Sequence, residues 1–290
     1  MTHNTTTTTT TTVAGRPDRL GQPASVRGRV RVRDTQLYVE QAGSGPVLLF
    51  VHGMCGDGEV WADQLSRLCG QFTCVTYDRR GHSHSPAGTR DQSYATHADA
   101  AALIETLDLS GCTLVGSSGG SYVGFELLRR HPGLASAAVL SEPPLFQIAP
   151  STGATIREQI APAVQAAAKE GGLRSAVDVF FQLMCPGLCN SIVEQHKDRY
   201  RDNAEMLFPA LTAPADPVAD ADLAAIEVPV LVITGSDSHQ ALRTIAARLA
   251  SGLPQGELLE LAHSGHVTYA EQPAAFATAV RAFTTRGCLG

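Results

Sequence analysis

Short apolar runs recur along the chain, and segments with helical spacing of apolar residues separate most of them. The runs occupy residues 46–51, 72–77, 112–115, 135–140, 228–234 and 257–261. The first of these is continuous, which is typical of a parallel strand covered on both faces. A helical pattern such as the one at 96–107 follows several of the runs. This alternation predicts an α/β fold with a doubly wound, mostly parallel sheet.

Two segments near the start of the chain alternate apolar and polar residues instead. Residues 26–32 and 37–41 have this period of two, and a turn at 33–35 separates them. Alternation on either side of a short turn predicts a β-hairpin, and one solvated face is typical of edge strands. We therefore expect the hairpin to form an edge of the sheet.

The alternation of strands and helices stops after residue 143 and resumes at about residue 222. Helical spacing predicts three helices in this interval, at 156–169, 173–184 and 192–207. The second helix carries an apolar stripe at i, i+3, i+4 and i+7, formed by Val177, Phe180, Phe181 and Met184. We expect the stripe to pack the insertion onto the sheet, and the alternative is that it lines a substrate pocket.

These patterns predict one structural unit that is interrupted by an insertion. The core is expected at 25–144 and 223–290, with a helical lid at 145–222. Residues 1–24 contain eight consecutive threonines and no hydrophobic segment. A disordered tail is therefore expected there.

Composition argues against several classes of partner. The 290 residues carry a formal net charge of -6 with both signs interspersed, so we expect neither nucleic-acid nor anionic-lipid binding. No run approaches the roughly 20 apolar residues of a membrane helix, and no signal peptide is recognised. We expect a cytoplasmic protein whose partner is a small molecule. The oligomeric state stays open, with a homodimer as one option.

The stretch 112–122 carries the strongest chemical signal. An apolar run leads directly into Gly116-Ser117-Ser118-Gly119-Gly120, and a helical segment follows without a spacer. A strand, a tight turn and a helix in this order expose a nucleophile above the sheet, and glycines allow the close backbone contact. Ser118 is the candidate nucleophile, and the alternative is a plain Gly/Ser turn between a strand and a helix.

Four segments together make the chain resemble the α/β-hydrolase superfamily over about residues 25 to 286. They are His52-Gly53-Met54, Tyr77-Asp78-Arg79-Arg80-Gly81, the turn at 116–120, and Gly265-His266 ahead of Glu271-Gln272-Pro273. Each motif is weak alone, but their order and spacing are specific. The resemblance implies a sheet of the eight-stranded type with an inserted helical lid, in an esterase-like or perhydrolase-like member with a serine nucleophile.

A serine hydroxyl needs a base and an oxyanion site to attack a carbonyl. His266 is the candidate base, because it follows a strand and occupies a Ser-Gly turn, and His263 is its competitor. The backbone N–H groups of Met54 and Gly119 are the expected oxyanion donors.

The triad acid stays open between two carboxylates. The superfamily usually carries an aspartate three residues after the glycine that ends the 228–234 strand, and Ser238 occupies that position here. Asp237 is one residue early. Glu142 directly follows the 135–140 run, and some members of the superfamily take their acid from that strand end. We favour Glu142 slightly and keep Asp237 as the alternative.

Other polar clusters do not indicate a metal or redox site. Arg79, Arg80, His82 and His84 lie close together in sequence, but no second ligand cluster accompanies them, and the resemblance implies a structural turn. Seven cysteines, including a pair at 185 and 189, are expected to be reduced and buried. No metal or organic cofactor is expected.

The expected function is therefore that of a carboxylic ester hydrolase, of class EC 3.1. It would act on an ester, lactone or thioester of a small apolar substrate through Ser118, His266 and one of the two acids. Two alternatives remain. The same site serves cofactor-free perhydrolases, lyases and cyclases of specialised metabolism, and the same scaffold serves ligand-binding receptors.

Overall fold

The computed structural model describes residues 25–88, 96–186, 188–212 and 216–287. The segment 1–24, predicted to be a disordered tail, lies outside the described residues. Within the described ranges the strands form one sheet, and helices cover both of its faces.

The sheet of the described residues has eight strands. They are β1 (Ser25–Val32), β2 (Thr35–Ala42), β3 (Val47–Val51), β4 (Thr73–Tyr77), β5 (Cys112–Ser117), β6 (Ala135–Ser141), β7 (Val230–Gly235) and β8 (Gly256–Leu261). Their order across the sheet is β1-β2-β4-β3-β5-β6-β7-β8. β2 pairs antiparallel with β1 and with β4, and the other neighbours are parallel. The predicted edge hairpin and the mostly parallel, eight-stranded sheet are thus confirmed.

Strand β3 shows why the sheet stays in the centre of the fold. Leu48 and Phe50 belong to the hydrophobic core on one face, whereas Leu49 and Val51 belong to the core on the other face. Each of these four side chains is at most 1% exposed. Full burial of such a side chain contributes about 1.5–3 kcal/mol, so covering both faces is strongly favourable. The carboxyl ends of the parallel strands are therefore held rigidly along one edge.

Eleven α-helices occur in the described residues. They are α1 (Ala62–Leu68), α2 (Thr96–Thr106), α3 (Gly119–Arg130), α4 (Pro150–Met184), α5 (Leu188–Gln195), α6 (Lys197–Asp202), α7 (Leu207–Thr212), α8 (Asp220–Ala224), α9 (Gln240–Gly252), α10 (Thr268–Glu271) and α11 (Pro273–Gly287). α1 and α11 cover one face of the sheet, and α2, α3 and α9 cover the other. None of the helices in the described ranges is both long enough and apolar enough to cross a membrane.

Helices α4 to α8 lie between β6 and β7, where the sequence predicts an insertion. Gly172 has φ 78° and divides α4 into two halves, which correspond to the first two predicted helices. The helix predicted at 192–207 is divided as well. It breaks at His196, between α5 and α6, and again at Asn203, where α6 ends. The side-chain N–H group of Asn203 donates to the carbonyls of Cys55 and Gly56, each at 3.1 Å, and this buried contact between the insertion and the core accompanies the second break.

Candidate active site

Ser118 lies on a tight turn between β5 and α3. Its backbone has φ 51° and ψ -121°, a conformation that is rare for a residue with a side chain. The turn is possible because its neighbours are glycines: a Cβ atom on Gly120 would lie 1.9 Å from the carbonyl oxygen of Val51, and one on Gly116 would lie 2.6 Å from that of Gly120. The strained turn lifts the Ser118 hydroxyl above the carboxyl edge of the sheet.

His266 lies on the loop between β8 and α10, and its ring faces Ser118. The distance from His266 Nε2 to Ser118 Oγ is 3.0 Å. Glu271 holds the loop, because its carboxylate accepts the N–H groups of Gly265 at 2.6 Å and Val267 at 3.0 Å. His263, the competing candidate, is exposed on the same loop. The structure thus brings His266 to the serine and leaves His263 in solvent.

Glu142 lies on the far side of the imidazole ring from Ser118. Its Oε2 atom is 3.2 Å from His266 Nδ1, and its side chain is fully buried. Oε1 accepts hydrogen bonds from the Thr234 hydroxyl at 2.7 Å and from the Gly235 N–H at 2.8 Å. The Ser238 hydroxyl donates to Oε2. A carboxylate only accepts hydrogen bonds, so the ring hydrogen lies on Nδ1 and Nε2 is free to accept from the serine.

Asp237, the other candidate acid, is not brought to the imidazole. It lies on an exposed turn, and its carboxylate accepts the Ser236 hydroxyl at 2.9 Å. Its backbone N–H donates to the Ser264 carbonyl at 2.8 Å, which fixes the turn with the side chain outward. Ser238, in the position where the superfamily usually has its acid, contributes a hydrogen bond to Glu142 instead. Of the two carboxylates, Glu142 is the one in contact with His266.

The backbone N–H groups of Met54 and Gly119 lie beside the serine. A Cβ atom on Gly119 would lie 3.4 Å from the Met54 nitrogen, and one on Gly53 would lie 3.3 Å from Ser118 Cβ. Within the described part of the chain, neither N–H group donates a hydrogen bond to the protein. Two unpaired donors next to a nucleophile are the arrangement that stabilises an oxyanion.

A cavity of about 680 Å³ opens above these residues, and Ser118, Gly119 and His266 contribute to its wall. This volume lies within the roughly 300–1,000 Å³ range of small-molecule sites. The apolar stripe predicted in the insertion contributes in two ways. All four members pack in the hydrophobic core on one face of the sheet, as expected. Two of them, Phe180 and Met184, also line the cavity, so the alternative interpretation applies to these two as well.

Most of the polar residues after β4 have structural partners. Arg80 forms a buried ion pair with Asp99, with Nε and Oδ2 2.7 Å apart, and a second pair with Asp34 at 2.7 Å. Asp78 accepts the backbone N–H of His84 at 3.0 Å. These contacts hold the segment as a turn next to the site, as the resemblance implies.

Two buried histidines beside the site have no carboxylate next to their rings among the described residues. His52 donates from Nδ1 to the Gly53 carbonyl at 2.8 Å and accepts the Arg79 N–H at Nε2 at 2.9 Å, which joins the ends of β3 and β4. Nδ1 of His82 donates to the Arg80 carbonyl at 3.0 Å. Burial, assisted by the charge of Arg79, lowers the pKa of His52 well below 6.5 and that of His82 to about 3. Both rings are therefore neutral near pH 7.

The neutral state of His82 predicts a loss of stability in acid. In the unfolded chain the ring binds a proton below about pH 6.5, but in the folded protein it does so only near pH 3. The unfolded state therefore binds more protons in this window, and the free energy of unfolding falls as the pH drops, by about 1 kcal/mol per pH unit for this group. Urea unfolding at pH 7.0 and 5.0 measures the decrease.

The variant His82→Asn is expected to show a smaller decrease between the two pH values than the wild type. His263→Asn, which removes an exposed histidine, serves as the control. The same decrease in the wild type and in His82→Asn would contradict the interpretation.

The cysteines of the described residues are buried, free thiols, namely Cys55, Cys69, Cys74, Cys112, Cys185 and Cys189. Cys288 lies outside the described residues. Burial raises the pKa of Cys55, Cys74 and Cys112 to about 12. A thiol that stays protonated is a poor nucleophile, so Cys55 does not compete with Ser118.

Ser238 and Arg79 lie at the site in positions that the sequence alone does not reveal. Ser238 marks only a missing aspartate in the sequence, but in the structure it donates to Glu142. In the sequence, Arg79 belongs to a cluster for which the resemblance implies a structural turn, but in the structure it lines the cavity. The sequence feature that could have indicated this position is that Arg79 lies two residues after a buried strand.

Known proteins resemble this chain in sequence and in structure. Residues 48–279 match the Alpha/beta hydrolase family. The uncharacterized hydrolase YraK of Bacillus subtilis (strain 168) is 35% identical over 124 residues, which cover 42% of this chain and 46% of YraK. RutD of Pantoea ananatis (strain LMG 20103), for which carbamate hydrolysis is proposed, is 27% identical over 252 residues, which cover 82% of this chain and 87% of RutD.

Among solved structures, the enol-lactonase from Burkholderia xenovorans LB400 has a TM-score of 0.72 and 22% identity, covering 89% of this chain and 99% of the enol-lactonase. At this identity the likeness shows a shared fold. The family match extends over most of the chain and includes all four motifs. This chain therefore belongs to the alpha/beta hydrolase family and is a hydrolase.

Proposed function

We propose that this protein hydrolyses a carboxylic ester, lactone or thioester, with Ser118 as nucleophile, His266 as base and Glu142 as acid. The observation that supports the proposal is the pair of hydrogen bonds of 3.0 Å and 3.2 Å that joins these three side chains at the cavity. The names of the related proteins, which include an enol-lactonase and an esterase, also favour cleavage of an acyl compound.

Acylation begins when Ser118 Oγ attacks the substrate carbonyl. His266 Nε2 takes the hydroxyl proton, and Glu142 stabilises the imidazolium through Nδ1–H. The negative charge that forms on the carbonyl oxygen is held by the N–H groups of Met54 and Gly119. His266 then returns the proton to the departing alkoxide or thiolate, and an acyl-serine ester remains.

Deacylation repeats these steps with water. His266 takes a proton from a water molecule, the hydroxide attacks the acyl-serine carbonyl, and the same two N–H groups hold the oxyanion. The collapse of this intermediate returns the proton to Ser118 Oγ and releases a carboxylic acid that contains one oxygen atom from the solvent. The proton transfers to and from Ser118 use side chains that are already joined by hydrogen bonds, namely Ser118, His266 and Glu142.

The insertion at 145–222 acts in this proposal as a lid. Phe180 and Met184 of α4 and Leu211 of α7 line the cavity opposite the sheet edge, which supports a role in covering the substrate. An apolar cover excludes water around the acyl group, and a water-poor site strengthens the electrostatic contacts of the triad.

The proposal is tested by turnover in ¹⁸O-labelled water. A panel of short-chain p-nitrophenyl esters, lactones and thioesters is offered, and the released acid is analysed by mass spectrometry. We expect one solvent oxygen in the acid of each hydrolysed substrate, and covalent labelling of the wild type but not of Ser118→Ala by a fluorophosphonate probe.

Other outcomes would reject the proposal. Product without solvent oxygen would indicate acyl transfer or another non-hydrolytic reaction at the same site. Tight binding of a ligand without turnover would indicate a receptor. Equal labelling of the wild type and Ser118→Ala would exclude Ser118 as the nucleophile.

A further inference from the structure

Arg79 is a buried cation without an anionic partner among the described residues. It lies two residues after the end of β4 and is 6% exposed. In the described part of the chain its side chain forms no ion pair and no hydrogen bond, and its Nε atom is buried and unpartnered. The neighbouring Arg80 is different, because two carboxylates, those of Asp34 and Asp99, neutralise it. Of these two adjacent arginines, Arg80 alone is paired with carboxylates of the described residues.

A buried unpaired guanidinium is energetically costly. Burial lowers the pKa of Arg79, but an arginine side chain stays protonated at neutral pH, so the charge cannot be removed by titration. Transfer of an unpaired charge out of water is unfavourable unless an opposite charge or hydrogen-bond acceptors compensate for it. A residue of this kind at a cavity is therefore suited to an anion supplied from outside the chain.

The Arg79 side chain ends beside the oxyanion donors. It lines the cavity, and a Cβ atom on Gly119 would lie 3.2 Å from Arg79 Nη1 and 3.4 Å from the Met54 nitrogen. The described residues that line the cavity include no aspartate, glutamate or lysine, and His82 among them is neutral near pH 7. The guanidinium thus gives a pocket lined mainly by apolar residues a positive charge close to Ser118.

We propose that Arg79 binds a carboxylate on the substrate, a few atoms from the carbonyl that Ser118 attacks. This inference rests on the proposed function and narrows it to carboxylate-bearing esters and lactones instead of wholly apolar ones. The planar guanidinium presents two parallel N–H donors, which match the two oxygens of a carboxylate. The oxyanion itself already has two backbone donors, at Met54 and Gly119.

The test compares charged and neutral forms of the same ester. The charged substrates each have one ester and one free carboxylate: the monomethyl esters of succinate, glutarate and adipate, and 4-acetoxybutanoate. The neutral partner of each is the compound in which that free carboxylate is converted to a methyl ester. We expect the wild type to favour the charged form of at least one pair by about tenfold or more in kcat/KM. Arg79→Gln should lower kcat/KM for that charged ester by about 30-fold, and should lower it for the neutral form far less.

Arg286→Gln is the matched control, since it removes one positive charge from an exposed site on α11. It should keep the wild-type preference for the charged ester. Arg79→Lys should keep part of this preference, because a lysine retains the positive charge but lacks the two parallel N–H donors of a guanidinium. If Arg79→Gln lowers kcat/KM equally for the charged and the neutral ester, the Arg79 charge acts on the oxyanion and not on a substrate carboxylate, and the proposal is overturned. A wild type that prefers no charged ester would also overturn it.

Binding to an inactive enzyme separates this inference from the proposed function. Calorimetry with Ser118→Ala should detect tighter binding of the charged ester than of the neutral one, and the added Arg79→Gln change should abolish the difference. This measurement requires no turnover. If the charged ester binds selectively and no ester is hydrolysed, the proposed function fails and the anion site stands. If esters are hydrolysed and binding shows no selectivity, the anion site fails alone.

Discussion

Replacement of Ser118 or of His266 by alanine is expected to lower kcat/KM for the best ester by about 10⁴-fold or more, and the double variant should lose no more than either single one. In the proposed mechanism the hydroxyl and the imidazole act as one unit, because the proton that leaves the attacking oxygen would pass along the 3.0 Å hydrogen bond between them. Removal of either partner leaves only the oxyanion donors and the pocket. Initial rates of p-nitrophenol release measure the effect.

His263→Ala is the matched control, because this second histidine of the loop is exposed and should be dispensable. Thermal unfolding of each variant shows whether the site is folded. Losses that multiply in the double variant, instead of saturating, would mean that Ser118 and His266 act independently. Retention of activity in His266→Ala would remove the imidazole from the mechanism.

The sheet could be predicted from the sequence because local patterns determine it. The run at Val47–Val51 is apolar at each position, and both faces of that strand are indeed covered. The turn at Ser118 could be predicted for the same reason, since the glycines that it requires are its immediate neighbours in the chain. In both cases the signal lies within a few consecutive residues, although the contacts that require it, such as that of Gly120 with the Val51 carbonyl, form only in the fold.

The contact of Glu142 could not be predicted with the same certainty, because it depends on contacts between distant segments. Glu142 has φ 52°, and its N–H donates to the carbonyl of Ile233 at 2.8 Å, so that pairing with β7 sets the direction of its side chain. In the sequence, Glu142 and Asp237 both simply follow a strand. Only the folded sheet distinguishes a carboxylate that turns toward the imidazole from one that turns to solvent.

The helix break at Asn203 and the unpaired charge of Arg79 have a similar origin. Asn203, where a helical pattern is broken, contacts the carbonyls of Cys55 and Gly56, almost 150 residues earlier in the chain. Arg79 and Arg80 are identical neighbours in sequence, and the fold pairs only the second of them with carboxylates of the described residues. Helical periodicity and composition contain no information about such partners.

Glu142→Gln is expected to lower kcat by about 10³- to 10⁴-fold while the protein stays folded. The glutamine carbonyl can still accept from Thr234 and Gly235, but its NH₂ group then replaces the oxygen that accepts the His266 Nδ1–H. Two donors would face each other, so the ring hydrogen moves to Nε2, which can no longer take the serine proton. Steady-state kinetics with the best ester and urea unfolding measure the two effects separately.

Addition of Ser238→Asp to Glu142→Gln is expected to restore about tenfold or more of the lost kcat. The Ser238 hydroxyl already donates to the Glu142 oxygen that contacts the His266 ring, so a carboxylate at position 238 lies within reach of Nδ1 and returns the hydrogen to that nitrogen. Asp237→Asn is the control, and it should leave kcat unchanged because its carboxylate is exposed and bonded to Ser236. No recovery in a folded double variant would mean that a carboxylate at position 238 does not reach Nδ1. A large loss in Asp237→Asn would mean that Asp237, and not Glu142 alone, contributes to the acid function.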